Sequence, residues 1–243
     1  SSYISKKVAS QLENIFKNRR NEYETKWNDI KIFIEYGMLS DEKFCDAAMK
    51  FALLANVEDK KFTLDEYKEL IAANQTDKDG NLVYLYATDK TAQYSYIKAA
   101  KDKGYDVLLI NDQLGNHFVG LLEHKLEKSR FVRVDSDIVE NLIVKEERKV
   151  SAMTPAERNI FSELFRCQIP HVDKTEFLVS FESLGSESQP VQITQSEYMR
   201  RMKEMAAMQP GMSFYGEMPD SYNLVLNTEH PVVKRLLDEA KAS

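Results

Sequence analysis

Side chains that could act as acids, bases or ligands follow two apolar runs in the first half of this 243-residue sequence. They are Asp89, Lys90, Asn111 and Asp112. Groups of this kind could bind a polar substrate or move a proton, because parallel sheets place their ligand sites at the carboxyl ends of strands. No nucleophile in these loops is paired with a base. One hypothesis is therefore a stand-alone α/β enzyme with its site at the C-terminal ends of strands 82–87 and 106–110.

Local motifs argue against cofactors. Neither loop contains GxGxxG or GxxxxGK[ST], so no backbone cradle for phosphate is predicted. The run Asp77-Lys78-Asp79-Gly80 lacks the third oxygen ligand and the closing Glu of a calcium loop, which favours a simple turn. His117 and His124 have no HExxH motif or Cys partner, which favours a helix surface over a metal site. We expect no catalytic residue, no cofactor and no metal in this chain.

Charge and composition narrow the choice of partners. The net charge of −6 and the pI near 5.4 are unlike those of a nucleic-acid binder. No run approaches eighteen apolar residues, and residues 1–7 have no signal-peptide pattern, so we expect no membrane contact. Cys45 and Cys167 lie in no metal spacing and are interpreted as reduced and structural. The sequence predicts a cytoplasmic protein.

Methionine is the unusual residue type, since six of the nine methionines lie between positions 199 and 218. In a helix, Tyr198 and the methionines at 199, 202, 205 and 208 would cover roughly half the circumference, with Arg200 and Lys203 on the other half. A helix docked on one core needs a stripe of only about 100°. The residues leave two interpretations open. The arc is either a wide core face or a surface partly kept for a second partner, because methionine recurs on promiscuous binding surfaces.

The elements around these residues follow from hydrophobic periodicity. We expect one long helix from residue 4 to Gly37, followed by helices at 41–54 and 65–73. Thr63 and Glu66 have the spacing of a capping box at the start of the latter. Three apolar strands alternate with helices, which predicts a small parallel βαβαβ sheet. The expected order is strand 82–87, helix 92–103, strand 106–110, helix 116–128 and strand 130–134.

All six prolines lie at or beyond Pro155, and a charged run occupies 145–149, so we place a domain boundary near residue 150. Thr154 to Glu157 predicts a capped helix. Beyond it we expect strands 177–181 and 222–226, a capped helix from Thr194 to Met208, and a last helix at 231–240. The predicted fold class is α/β then α+β. The predicted domains are 1–150, with a helical segment over 1–75 and a βαβαβ subdomain over 76–150, and a separate α+β domain 151–243.

Five segments occur in the order in which a known family has them. They are 2–8 (SYISKKV), 84–89 (YLYATD), 104–109 (GYDVLL), 197–202 (EYMRRM) and 224–231 (LVLNTEHP). Together they closely resemble the 90-kDa heat-shock chaperone family in its bacterial HtpG branch. The resemblance extends over essentially the whole chain.

The resemblance implies a three-domain, ATP-dependent chaperone that assists folding. Residues 1–150 look like the end of its middle domain, and residues 151–243 look like its C-terminal domain without the final dimerisation helices. ATP and Mg would bind in a preceding domain of the parent protein, and a second protomer would pair through helices that follow. We therefore expect this chain to be a monomer, not itself an enzyme, whose partners are unfolded or partly folded client proteins.

In that family the methionine-rich helix contacts clients, and with the resemblance this becomes the favoured interpretation. The implied client-binding residues are Met199, Met202, Met205, Met208, Met212, Phe214 and Phe118. Met212 and Phe214 follow Pro210-Gly211 and are expected to form a mobile apolar flap. A purely architectural segment that transmits domain motion without touching clients stays as a third possibility.

Overall fold

The computed structural model describes residues 2–147, 152–209, 211 and 217–242. The chain divides into two compact units, Ser1–Val134 and Asp135–Ser243. None of the helices within the described ranges has the length and apolar character needed to cross a membrane.

The first unit combines six helices with five strands in its described residues. In chain order they are α1 (Ser2–Asn18), α2 (Arg20–Ser40), α3 (Glu42–Ala48), β1 (Leu53–Ala55), β2 (Lys61–Thr63), α4 (Leu64–Ile71), β3 (Leu82–Ala87), α5 (Tyr94–Asp102), β4 (Val107–Leu109), α6 (Gly115–Lys125) and β5 (Ser129–Arg133).

The central sheet of this unit has the strand order β4-β3-β5, and both pairings are parallel. All six residues of β3 are buried, which explains why this strand is apolar throughout: its faces are both covered. The rings of Tyr67, Tyr84 and Phe131 stack in succession, with centroids 5.9 and 4.6 Å apart. The predicted mixed α/β fold with a parallel sheet is thus confirmed.

Two predictions in the first 60 residues are wrong. The expected single helix is interrupted at Arg19, whose backbone is not helical (φ −139°, ψ 56°). The helix predicted at 41–54 ends at Ala48, and Leu53–Ala55 pairs in an antiparallel hairpin with Lys61–Thr63. An apolar run this short fits a buried strand as well as a helix turn, and the pairing with a partner strand decided the outcome.

The second unit is built around a mixed sheet of order β6-β8-β7, in which β6 and β8 are parallel and β7 is antiparallel to β8. Its core contains Phe161, Phe181, Leu226, Val233 and Leu237. The elements are α7 (Val139–Leu142), α8 (Pro155–Gln168), β6 (Thr175–Glu182), β7 (Val191–Thr194), α9 (Glu197–Met208), β8 (Asp220–Asn227) and α10 (Pro231–Ala242).

Strand β7 was not predicted, and the helix expected from Thr194 begins at Glu197 instead. Thr194 is the last residue of the strand and is 2% exposed. Ser196 is the N-cap but makes no side-chain capping bond. The segment with the Ser/Thr spacing of a helix cap therefore lies partly in a strand. Residues 191–194 pair with β8, and this pairing satisfies their backbone hydrogen-bonding groups.

The predicted division into domains 1–150 and 151–243 stays a prediction. The compact units divide after Val134. The predicted boundary lies beside residues 148–151, which are outside the described residues.

Candidate functional site

Helix α9 carries the methionines, and its orientation decides what they can contact. The residues of α9 that are buried are Arg200 and Ala206, at 5% and 6% exposure. The expectation that Arg200 belongs to a solvated polar half of the helix is therefore wrong. Periodicity gave no signal for this, because an arginine on the polar arc of a helix normally extends into water.

Buried Arg200 is paired rather than isolated. Its Nη2 donates to Glu197 Oε1 at 2.8 Å, and the same oxygen accepts from Arg201 Nε at 2.7 Å. Arg200 Nε lies 3.6 Å from Glu204 Oε1. A buried guanidinium needs such partners because an uncompensated charge in a low-dielectric environment is costly.

A second ion pair ties α9 to the sheet. Lys203 Nζ lies 2.6 Å from Oδ1 of Asp220, the first residue of β8. Beside this pair is a cavity of about 20 Å³, lined by Gln195, Met199, Met218 and their neighbours. A space of that size holds about one water molecule. It is too small for a nucleotide or a metabolite.

The other side of α9 is turned away from the core. Tyr198 is 68% exposed and Met208 is 54% exposed. Met199, Met202 and Met205 are half-buried, and Met199 also lines the small cavity beside Lys203. We call Tyr198, Met199, Met202, Met205 and Met208 the methionine face. Such a face offers flexible, polarisable thioether groups that can adapt to different apolar partners.

The other predicted client-binding residues are not part of this surface. Met212 and Phe214 lie outside the described residues. Phe118 belongs to α6 and is only 3% exposed, packed within the core of the first unit. In this position Phe118 cannot touch another protein, so its assignment is corrected to a core residue. An aromatic residue on an amphipathic helix is more often buried than exposed, and the sequence alone did not show which face of α6 it occupies.

The polar residues after β3 and β4, which the enzyme hypothesis proposed as a site, have structural roles. Asp89 Oδ1 accepts from the backbone N–H groups of Thr91 and Ala92 at 2.8 and 2.9 Å. These bonds, the one from Ala92 most, hold the pKa of Asp89 below its usual range, which makes it a poor proton donor. Asp112 Oδ1 accepts from the backbone N–H of Leu114 at 3.0 Å.

Lys90 Nζ lies 3.4 Å from the carbonyl oxygen of Val57, and Asn111 is an exposed residue. No cluster of three or more His, Cys, Asp or Glu side chains suited to a metal occurs in the portion of the chain that the structure describes. The arrangement at these strand ends therefore supports turns, and it brings no reacting groups together.

Comparison with known proteins gives a consistent result over the whole length. A family model described as Hsp90 protein matches residues 1–243. A protein of Bacteroides thetaiotaomicron named "Chaperone protein HtpG" is 56% identical over 243 residues, which is 100% of this chain and 36% of that protein. A protein of Bacteroides fragilis with the same name is 57% identical over 242 residues, covering 99% of this chain and 36% of that protein.

The chain thus spans about a third of the length of the curated relatives it matches. Among solved structures, the middle domain of a putative heat shock protein from Plasmodium falciparum is similar, with a TM-score of 0.46 and 20% identity. That likeness covers 56% of this chain and 57% of the other. On the match of the family model over residues 1–243 and the identity to its relatives, the chain belongs to the Hsp90 protein family, in its bacterial HtpG branch.

Proposed function

We propose that this chain is the client-binding and structural portion of an ATP-dependent chaperone, which holds unfolded or partly folded proteins against the methionine face. The relatives are named chaperone proteins, and this chain corresponds to about a third of their length. In this proposal, residues 1–150 are the end of a middle domain and residues 151–243 belong to a C-terminal domain.

One observation carries the proposal. The cationic edge of α9 faces the sheet, since Arg200 is buried and Lys203 pairs with Asp220 of β8. Tyr198 and Met208, in contrast, are more than half exposed. A helix that served only the core would turn its apolar side inward and its charges outward. Contiguous exposed apolar surface on a soluble protein commonly marks an interaction site.

In this proposal, nucleotide binding belongs to another part of the parent protein. We propose that ATP and Mg bind to a domain that this chain does not contain, and that a second protomer completes the client-binding cleft. The loops after β3 and β4 support this assignment. Their acidic side chains accept hydrogen bonds from the backbone N–H groups of the loops, and a phosphate would need such N–H groups as donors.

The test compares two double variants of the chain. Met202→Ser with Met205→Ser removes the centre of the methionine face. Phe33→Ser with Tyr36→Ser is the matched control, because these residues of α2 are 75% and 64% exposed and lie in the other unit. Fluorescence anisotropy of a labelled, permanently unfolded protein measures capture, and thermal unfolding measures stability.

We expect the methionine variant to weaken capture by about tenfold, or about 1.4 kcal/mol, with little change in melting temperature. The control should retain capture. A large fall in melting temperature with capture unchanged would show that the methionines are core residues, because two buried methionines are worth several kcal/mol. If neither variant affects capture, the architectural role without client contact is favoured instead.

A further inference from the structure

Strand β6 is the longer of the two edge strands in the sheet of the second unit. The sheet has the order β6-β8-β7, so one side of β6 pairs with β8 and the other side has no strand beside it in the described residues. Strand β6 has eight residues, whereas the opposite edge strand, β7, has four. A very short edge strand protects a protein against pairing with other chains, and β6 lacks this protection.

The backbone ladder shows which residues of β6 face the open edge, the side of the strand away from β8. The N–H of Asp220 donates to the carbonyl of Lys174 at 2.9 Å. At the other end of the ladder, the N–H of Thr228 donates to the carbonyl of Glu182, also at 2.9 Å. Because the two strands are parallel and in register between these bonds, the even-numbered residues of β6 bond to β8 throughout. The backbone groups at the open edge therefore belong to the odd-numbered residues Phe177, Val179 and Phe181.

These outward backbone groups are unpaired and held in place. The N–H and C=O groups of Phe177, Val179 and Phe181 at the open edge have no hydrogen-bond partner among the described residues. Their side chains lie on the core side of the sheet, where Phe181 is 7% exposed and Val179 packs against the buried cluster. A row of unpaired N–H and C=O groups is a template for another strand. Since the core fixes the side chains, the template is already formed before a partner binds.

The composition of β6 indicates what partner would fit. The strand has the sequence TEFLVSFE, which is largely apolar and contains no proline or glycine. Glu176 and Glu182 lie near its two ends, and six residues of strand separate them by about 20 Å. Glu176 is exposed, and neither carboxylate has an ion pair within the described part of the chain. Charge complementarity therefore favours a partner with basic residues at a similar separation.

We propose that the open edge of β6 binds an extended, unfolded segment of another protein by adding it to the sheet as a further strand. The segment is apolar at alternate positions and has Lys or Arg at both ends. Main-chain hydrogen bonds to the odd-numbered residues of β6 hold it, and Glu176 and Glu182 select its charge. This inference rests on the proposed function, because it gives the client a second contact, through its backbone, beside the methionine face.

The experiment measures binding of a fluorescein-labelled peptide, KTVTVTK, to the full 243-residue chain by fluorescence anisotropy. Val179→Pro removes one N–H from the open edge and none from the ladder to β8, which is where an edge strand accepts proline. Glu176→Lys with Glu182→Lys reverses the charge at both ends. Glu163→Lys with Asp238→Lys is the matched control, since these exposed acidic residues lie on α8 and α10 of the same unit.

We expect Val179→Pro to weaken peptide binding by about tenfold, because a main-chain hydrogen bond is lost. The charge reversal at Glu176 and Glu182 should weaken it by about fivefold, and the control should bind as the unaltered chain does. A peptide methylated on every internal amide nitrogen lacks its backbone donors and should not bind. Equal binding of the methylated peptide would overturn the proposal, as would full binding by Val179→Pro.

The double variant Met202→Ser with Met205→Ser separates this site from the methionine face. It should bind the peptide as well as the unaltered chain does. Loss of peptide binding in this variant, with binding retained by Val179→Pro, would place the peptide on the methionine face and refute the open edge. If the methionine variant still captures unfolded protein while Val179→Pro loses the peptide, the methionine face fails as a client site and the open edge stands.

Hydrogen exchange tests the open edge without any variant, and so decides the matter if Val179→Pro does not fold. In the free chain the N–H groups of Phe177 and Val179 should exchange faster than those of Leu178 and Ser180, which donate to β8. Saturating peptide should slow the exchange of Phe177 and Val179 selectively. Uniform protection along β6 in the free chain would show that the edge is already covered, which contradicts the proposal.

Discussion

Lys203 of α9 and Asp220 at the start of β8 are joined by an ion pair of 2.6 Å, and this contact fixes the cationic edge of the helix against the sheet. Three residues earlier, Arg200 is buried on the same side. Tyr198 and Met208 are the exposed members of the methionine face, and these charged residues lie on the inner side of α9. Orientation of this helix thus depends on polar contacts as well as on apolar packing.

The two cations of α9 should differ in their contribution to stability. Arg200→Ala removes a buried guanidinium and its bond to Glu197, which keeps Arg201 as a partner, and we expect a loss of about 2 kcal/mol in the free energy of unfolding. Asp220→Asn breaks a pair whose side chains are 31% and 42% exposed, which should cost less than about 1 kcal/mol. Urea unfolding at low and high salt checks both values. Equal losses for the two variants would mean that Arg200 is not held as described.

Oxidation should distinguish the methionine face from the core. Met208 is 54% exposed, whereas Met38 in α2 is 2% exposed. Mild hydrogen peroxide converts accessible thioethers to sulfoxides first. Peptide mapping by mass spectrometry should find Met208 oxidised well before Met38. Similar rates at the two positions in the folded chain would contradict the placement of α9.

A buried amide organises the loop that precedes β7. Asn227 is 0% exposed, and its Oδ1 accepts from the backbone N–H groups of Leu184 and Glu229, both at 3.1 Å. Its Nδ2 donates to the carbonyl of Gly185 at 2.8 Å. Asn227→Ala leaves these groups unpaired and should cost about 3 kcal/mol. Thermal unfolding measures the loss; Asn227→Ala with an unchanged melting temperature would show that water replaces the amide.

The capping box of α8 provides a local test. Thr154 Oγ1 accepts from the backbone N–H of Glu157 at 3.2 Å, and Glu157 Oε2 accepts from the backbone N–H of Thr154 at 2.9 Å. Thr154→Ala should destabilise the second unit by about 1 kcal/mol. Thr154→Ser retains the hydroxyl and should be nearly neutral. Hydrogen exchange at the first turn of α8 follows both variants, and equal protection in the two would exclude a capping role.

The chain should bind no nucleotide. The carboxylates of Asp89 and Asp112 already accept the backbone N–H groups at the ends of β3 and β4, and a phosphate there would meet negative charge. Calorimetric titration with Mg-ATP is expected to give no saturable heat. Micromolar binding would show that a site exists which neither the motifs nor these loops reveal.

Much of the fold could be predicted from local sequence. Thr63 with Glu66 and Thr154 with Glu157 both form the predicted capping boxes. Strand β3 has the predicted bounds, 82–87. These features depend on residues three or four apart, or on a continuous apolar run, so a short segment contains the information that specifies them.

Strands β1, β2 and β7 were missed for the opposite reason. Each has three or four residues, and each is stabilised by a partner strand rather than by its own composition. The helix predicted through 41–54 was wrong because the hairpin of β1 and β2 competes for the residues after Ala48. Short apolar segments have no decisive periodicity, and pairing determines their structure.

The candidate site also combines features that local sequence specifies with features that tertiary contacts decide. Sequence by itself determined that α9 is an amphipathic, methionine-rich helix, because helical spacing alone arranges the side chains around its axis. Only the tertiary structure decided that Arg200 faces inward and that Phe118 is a core residue. These contacts join segments far apart in the chain, so their burial and charge environment exist only once the chain has folded.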